Sequence, residues 1–236
     1  MASSETILTV EKLRVGFDHQ VVIDDLSFEV HKGDCLAVIG PNGAGKTVLL
    51  KALLDLVPHE GEIRWSQGAR LGYVPQKVAA DRQQPIRLID LLAAKAAVRH
   101  LPPEDIATVT AEVGLAPQAL KNSVGHLSGG QFQKALIAFA LLGRPNVLLF
   151  DEPTASLDEL AEEHTYDLLH QLQQEKGMTV ILVSHDLSVV YRYATQVLCL
   201  SKVKMCVGPP KELLTPAMLE ELYGGPSKFY RHIHDD

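Results

Sequence analysis

Residues 35–47 read CLAVIGPNGAGKT, an apolar run followed by a glycine-rich loop and a lysine-threonine pair. Residues 35–39 suit a short buried strand, and residues 46–56 carry apolar side chains at helical spacing. The loop from Gly40 to Thr47 matches the phosphate-loop pattern G-x-x-x-x-G-K-S/T, which requires this order of strand, loop and helix. We therefore predict a nucleotide phosphate site at the start of a helix, where free backbone N–H groups attract anions.

The residue types in the loop suit this chemistry. Glycine at three positions lets the backbone approach the phosphates closely. Lys46 is predicted to neutralise the β- and γ-phosphate oxygens, and Thr47 to place its hydroxyl on Mg²⁺. The nucleotide-contacting set predicted for this stretch is Gly40, Pro41, Asn42, Gly43, Ala44, Gly45, Lys46, Thr47 and Val48.

A second glycine-rich motif, LSGGQ, occupies residues 127–131. Ser128 and Gln131 form the S-x-x-Q pattern of a capping box, in which each side chain bonds the backbone N–H of the other residue. The motif therefore predicts a helix over residues 129–142. In the simpler interpretation it is only a helix cap. In the functional one, Ser128 and the N–H groups of Gly129 and Gly130 also present a helix N-terminus to a phosphate.

The composition is that of a globular chain, with 236 residues, 46% hydrophobic and 22% charged. A net charge of −7 argues against a general nucleic-acid or anionic-membrane surface. No apolar run approaches the ~20 residues that span a bilayer, and the N-terminus lacks a secretory signal pattern. Three cysteines in no metal-binding spacing predict reduced thiols. We expect a cytoplasmic protein that reaches a membrane only through a protein partner.

The periodicity changes twice along the chain. Residues 7–30, 62–65 and 71–74 are strand-like, with a turn predicted at residues 18–20, whereas residues 85–142 are helical. Strand-like runs return at residues 147–151, 179–184 and 196–200, with a helix over 157–176 and a helical tail at the end. We predict one domain over residues 1–236, with an α/β core (1–84 and 143–236) and an inserted helical subdomain (85–142).

Three polar positions follow apolar runs directly. VLLFD ends in Asp151 and is followed by Glu152, TVILVS by His185, and LGYVP by Gln76. Taken singly, these residues could belong to a solvated strand end, a loop and a polar surface. Their order along the chain, together with the two glycine-rich motifs, favours a catalytic interpretation.

That order, from the phosphate loop through Gln76, LSGGQ, VLLFDEP and SLD (residues 156–158) to His185, resembles the ATP-binding cassette (ABC) ATPases over the whole chain. The resemblance implies an α/β fold, namely a P-loop NTPase (RecA-like) core with an antiparallel β-subdomain and an inserted helical subdomain. It also implies ATP and Mg²⁺ as cofactors. The implied catalytic residues are Lys46, Gln76, Glu152 and His185.

The family's residue roles carry over as follows. Thr47, Gln76 and Asp151 would hold Mg²⁺, Glu152 would act as general base or water orienter, and His185 would contact the γ-phosphate. Phe17 falls where the family places an aromatic that stacks on adenine, although it could also be a strand-packing aromatic.

The family also implies a homodimer that forms on ATP binding. Ser128, Gly129, Gly130 and Gln131 would face the ATP of the opposite chain, and Asp158 would communicate between the two sites. Lys134 and Phe139 stand where the family often has arginine, at positions that do not bear the chemistry.

One cassette in an acidic chain indicates a separate nucleotide-binding subunit that serves a membrane permease and, indirectly, an extracytoplasmic solute-binding protein. Residues 70–92, RLGYVPQKVAADRQQPIRLIDLL, resemble the zinc/manganese importer ATPases, and the tail FYRHIHDD resembles the zinc branch. The permease would dock near residues 76–97. His232 and His234 could bind zinc, since imidazole is a zinc ligand, or could belong to a disordered polar terminus.

Alternative functions remain open at this stage. The cargo could be an iron chelate or another small solute instead of zinc or manganese. A non-transport ABC protein acting on DNA or ribosomes would normally bring a second cassette, a coiled coil or a basic surface, which this sequence lacks. A non-hydrolysing regulator would be expected to lose Glu152 or His185, and both are present.

Overall fold

A computed structural model describes residues 5–18, 20–76, 85–152, 159–201 and 205–223. Within these ranges the strands and helices follow in the order β1 (Thr6–Phe17), β2 (Gln20–His31), β3 (Cys35–Ile39), α1 (Lys46–Leu53), β4 (Glu60–Trp65), β5 (Leu71–Val74), α2 (Leu88–Val98), α3 (Glu104–Glu112), α4 (Gly129–Leu141), β6 (Val147–Asp151), α5 (Glu159–Lys176), β7 (Thr179–Val183), α6 (Leu187–Tyr193), β8 (Gln196–Leu200), β9 (Met205–Gly208), α7 (Pro210–Leu213) and α8 (Pro216–Tyr223). Two 3-10 helices, Pro117–Lys121 and Val124–His126, precede α4.

The first of two compact units comprises residues 1–69 and 177–236. Its antiparallel sheet has the order β2-β1-β4, and its parallel strands lie as β7-β3-β8 with β9 antiparallel at the edge. Every residue of β3 and β7 is buried. This is the reason that β3 is wholly apolar and that β7 is apolar after Thr179, since a parallel strand covered on both faces has no polar side.

The second unit comprises residues 70–176. Strands β5 and β6 pair in parallel, with Leu71 opposite Val147 and Val74 opposite Phe150. Helix α4 buries small and aliphatic side chains along one face and contacts α2, α3 and α5. Because β5 and β6 run in parallel, the residues that follow both strands emerge at the same edge.

The structure differs from the sequence-based expectations at several element ends. Helix α1 stops at Leu53 instead of residue 56, because Asp55 adopts the left-handed backbone (φ 56°) that ends a helix. The predicted helical tail is wrong at its start, where β9 pairs with β8 through Leu200 opposite Met205. Four residues of alternating exposure on an edge strand are too short a pattern to read from the sequence.

Lys95 joins α2 to α4 within the second unit. Its ammonium donates a hydrogen bond to the backbone carbonyl of Phe139 and lies 4.2 Å from the centre of the Phe139 ring. Burial, followed by repulsion from Arg99, lowers the pKa of Lys95 to about 8. The desolvation cost of the charged ammonium therefore exceeds the stabilisation that the Phe139 carbonyl and ring provide.

Lys95→Met is expected to change how stability depends on pH. Between pH 8 and the ordinary lysine value of 10.5, the unfolded chain keeps a proton that the folded chain has lost, so stability rises with pH through this window. Relative to the variant, the parent should gain about 1 kcal/mol between pH 7 and pH 10, a figure reduced for solvent screening. Urea unfolding across this range measures the difference.

The matched control is Lys51→Met, because Lys51 is an exposed lysine on α1. The free energy of unfolding of Lys51→Met should differ from that of the parent by the same amount across this pH range. Parallel curves for the parent and Lys95→Met would contradict the inferred cost of charging Lys95.

Candidate active site

The phosphate loop joins β3 to α1 in the first unit and is organised around Lys46. This side chain is buried, and its Nζ donates to the carbonyl oxygens of Gly40 (2.8 Å) and Pro41 (3.2 Å). Asn42 and Gly43 are exposed at the loop tip. The buried part of the loop is Ala44 and Gly45, and the half-buried residues at the start of α1 are Thr47 and Val48. The tip of the loop is thus exposed, whereas its lysine is buried and bonded to the loop's own backbone carbonyls.

Glycine is required at two loop positions for steric reasons. A Cβ on Gly40 would lie 2.0 Å from the carbonyl oxygen of Leu200, the last residue of β8. A Cβ on Gly45 would lie 2.8 Å from Val22 Cγ1, and Gly45 also has a positive φ of 99°. The loop therefore lies close to β8 at Gly40 and to β2 at Gly45, with no room for a side chain at either position.

His185 lies at the same sheet edge as this loop. Strands β3 and β7 are parallel, with Val38 opposite Val183, so Gly40 and His185 each follow a paired residue by two positions. His185 is exposed, and the next residue, Asp186, accepts backbone N–H bonds from Ser188 (2.8 Å) and Val189 (3.4 Å). Ligands of α/β sheets bind outside the carboxyl ends of the strands, which is where this edge lies.

In the second unit, each member of the predicted acidic pair, Asp151 and Glu152, has a hydrogen-bond partner at the carboxyl ends of β5 and β6. Gln76 Nε2 donates a hydrogen bond to Glu152 Oε2, and the Tyr73 hydroxyl donates to Asp151 Oδ2 (3.4 Å). Asp151 is buried, whereas Glu152 is half-buried and Gln76 is exposed. Gln76, Asp151 and Glu152, predicted from separate stretches, therefore meet at one edge.

None of the sequence motifs assigns a role to Tyr73, although the structure places it beside Asp151. Burial, followed by the Asp151 charge and hydrogen bond, raises the pKa of Tyr73 to about 12. The phenol therefore stays protonated at neutral pH and can act as a donor to the carboxylate. In the sequence, the position of Tyr73 near the end of β5 was the one indication of a role. Its partner, Asp151, is evident only from the pairing of β5 with β6.

Glu152 has a backbone conformation that is unusual for its type. Its φ of 46° lies in the left-handed region, which costs a residue with a side chain about 1–2 kcal/mol. Such strain persists where the surrounding structure over-determines it and is enriched at functional sites. The strained residue carries the carboxylate that directly follows the last residue of β6.

The LSGGQ segment forms the predicted capping box in the second unit. The backbone N–H of Ser128 donates to Gln131 Oε1 (3.1 Å), and the backbone N–H of Gln131 donates to Ser128 Oγ (3.2 Å). Ser128 and Gly129 are exposed and Gly130 is half-buried. The N-terminus of α4 therefore faces outward with a fixed backbone conformation.

Phe17, the last residue of β1, is 43% exposed and lines an open cleft of about 450 Å³ in the first unit. The cleft walls also include Val21, Pro58 and His59. Phe17 pairs with Gln20 at the start of β2, and Val22 of the same strand contacts Gly45 of the phosphate loop. An exposed aromatic ring near the loop suits stacking on a nucleobase.

A family model described as ABC transporter matches residues 23–155, which include the phosphate loop, LSGGQ and the Asp151–Glu152 pair. The chain belongs to the ABC transporter family. The predicted membership of the ABC ATPases is thereby confirmed, including the expectation that the chain is an ATP-binding enzyme.

Individual relatives of this ABC protein match nearly its full length. It is 33% identical to the zinc import ATP-binding protein ZnuC of Haemophilus influenzae, over 99% of this chain and 87% of the relative. It is 37% identical to ZnuC of Yersinia enterocolitica, over 98% and 92%. A solved chain described as part of a metal-chelate type ABC transporter, in an inward-facing conformation, matches at a TM-score of 0.85, with 29% identity and coverage of 94% and 90%. The predicted fold class of this ABC protein is confirmed by these matches.

Three predicted site residues lie outside the described residues, namely Asp158, His232 and His234. Within the described ranges, no group of three or more His, Cys, Asp or Glu side chains could hold a metal ion. In those same ranges, no helix is both long and apolar enough to cross a bilayer.

Proposed function

We propose that this chain is the ATP-hydrolysing subunit of an importer that moves zinc through a separate membrane permease. The observation that carries the ATPase part is the hydrogen bond from Gln76 to Glu152, the carboxylate that directly follows the last residue of β6. The phosphate loop, taken by itself, supplies a buried lysine. The cargo is proposed from the names of the relatives, which are zinc import proteins matched over nearly the whole chain.

The phosphate loop would hold the triphosphate. Backbone N–H groups of the exposed loop tip and of the first turn of α1 would contact the oxygens, and Lys46 would turn from the Gly40 and Pro41 carbonyls to the β- and γ-phosphates. The Phe17 ring would stack on adenine.

The hydroxyl of Thr47, the amide oxygen of Gln76 and the carboxylate of Asp151 would hold Mg²⁺, and hard oxygen donors of this kind are the ligands it prefers. When bound, the ion supplies positive charge against the phosphate oxygens. Tyr73 would fix the Asp151 carboxylate by donating to one of its oxygens.

Glu152 would accept the proton of the attacking water, or orient that water, while His185 contacts the γ-phosphate. The Gln76 amide that donates to Glu152 keeps this carboxylate pointing in one direction. Gln76 donates an N–H to Glu152 and would offer its amide oxygen to the ion, so one side chain would couple nucleotide binding to the placement of the base.

Two copies would close around two ATP molecules. Each site would be completed by Ser128, Gly129, Gly130 and Gln131 of the opposite chain, and Asp158 would communicate between the sites. Support comes from the N-terminus of α4, where the backbone N–H groups of the first helical residues, Gly129 and Gly130, suit a phosphate. Closure of the dimer would move the permease helices that dock near residues 76–97. The same helices would hold the chain at the inner face of the membrane.

Zinc-limited growth tests the cargo. A strain that lacks this chain should stop growing in zinc-chelated medium and recover with zinc or with the parent gene, but not with a Lys46→Ala gene. Growth in manganese- or iron-depleted medium should be unaffected. A defect restricted to manganese or iron would overturn the zinc cargo and leave the ATPase assignment standing. ATP-independent uptake in membrane vesicles would overturn the ATPase assignment.

A further inference from the structure

Helix α8 packs beneath the strand that carries the phosphate loop. Its buried Leu219 and Leu222 join one apolar cluster with Ala37 and Ile39 of β3. The same cluster includes Val197 and Cys199 of β8, and the Tyr223 ring packs against it. Because Ile39 directly precedes Gly40, the end of α8 lies under the first residue of the loop.

The Tyr223 hydroxyl lies inside this contact. Its oxygen is buried and, among the described residues, makes no hydrogen bond of ordinary geometry. Burial raises the pKa of Tyr223, the backbone N–H of Gly40 opposes that rise, and Cys199 adds to it. The phenol oxygen therefore lies in the neighbourhood of the Gly40 N–H, beside the cluster that contains Ile39. A buried hydroxyl without a hydrogen bond is unfavourable, which favours a conformation in which the bond is made.

Gly40 is confined by other contacts as well. The Leu200 carbonyl oxygen occupies the space where a Cβ would lie, and the Gly40 carbonyl accepts a hydrogen bond from Lys46 Nζ. When Lys46 turns toward phosphate, Gly40 loses that bond. The Tyr223 hydroxyl is then the polar group on its other side that can hold the start of the loop in place.

We propose that Tyr223 is a positioning residue for the phosphate loop, whose hydroxyl accepts the Gly40 N–H when Lys46 leaves the Gly40 carbonyl for bound nucleotide. The proposal rests on the ATP binding proposed above. It assigns to the C-terminal helix a direct effect on nucleotide affinity, acting through Gly40 and without contact between Tyr223 and ATP.

Tyr223→Phe tests this role, because it keeps the ring in the apolar cluster and removes only the hydroxyl. The matched control is Tyr191→Phe, which removes the hydroxyl of an exposed tyrosine in the same unit. We expect Tyr223→Phe to raise the Kd and KM for ATP about fivefold. The kcat at saturating ATP should equal that of the parent. The Tm without nucleotide should be no lower than that of the parent, because the substitution removes a buried hydroxyl that makes no hydrogen bond among the described residues. The control should match the parent in every measurement.

The two possible failures are distinguishable. If the parent binds ATP and Tyr223→Phe binds it equally well, the positioning role is overturned while the proposed function stands. A fall in kcat and Tm at unchanged KM would assign Tyr223 a packing role only and would also overturn the proposal. If calorimetry detects no ATP binding to the parent, the proposed function itself fails.

Discussion

Glu152→Gln is expected to abolish ATP turnover while ATP binding persists. The amide matches the carboxylate in size, and its oxygen can still accept the Gln76 hydrogen bond, but it cannot take a proton from water. Loss of a general base lowers the rate by about 10²–10⁴-fold. Phosphate release should fall by this factor, calorimetry should give an ATP affinity like that of the parent, and light scattering should detect a stable dimer in the presence of ATP.

Glu175→Gln is the matched control for this result. Glu175 lies exposed on α5, where it accepts a hydrogen bond from Gln171 within the same helix. The substitution makes the same chemical change away from the candidate site and should leave turnover at the parent rate. If Glu152→Gln hydrolyses ATP as fast as the parent and forms no ATP-dependent dimer, the assigned mechanism is wrong.

Much of the fold could be predicted because several strands are almost wholly apolar runs, and β3, β6 and β7 are buried at every position. Strands β3, β5, β6 and β8 match the expected bounds, and β7 ends one residue before the expected bound. A parallel strand buried on both faces must be apolar throughout, so its ends are sharp in the sequence. Motif spacing then places Lys46, Asp151 and His185 at strand ends, which is where α/β proteins bind their ligands.

The contacts that organise the site could not be predicted in the same way. Gln76 and Glu152 meet because β5 and β6 are neighbours, and Tyr73 faces Asp151 for the same reason. The sequence gives no measure of which strands are neighbours, since periodicity describes one strand at a time. The strained φ of Glu152 is likewise set by its surroundings, because glutamate as a residue type does not favour that region.

Gly40→Ala is expected to impair both stability and ATP binding. The added Cβ would lie 2.0 Å from the Leu200 carbonyl oxygen and 3.1 Å from the Leu200 carbonyl carbon, and both are backbone atoms of β8 that no rotamer change can move. Overpacking of this kind costs about 3 kcal/mol or more when the backbone must shift. The displaced loop would also move the carbonyl that holds Lys46, so ATP affinity should fall at least tenfold.

Gly33→Ala separates this steric effect from the ordinary cost of losing a glycine. Gly33 has a positive φ of 80° in the turn between β2 and β3, but an added Cβ there meets nothing within 4 Å. It should lower the free energy of unfolding by about 1 kcal/mol, the cost of a left-handed conformation alone, and leave ATP affinity at the parent value. Denaturant unfolding and calorimetry on both variants measure the two effects. Equal destabilisation, with ATP bound at parent affinity by Gly40→Ala, would show that β8 does not confine the loop at Gly40.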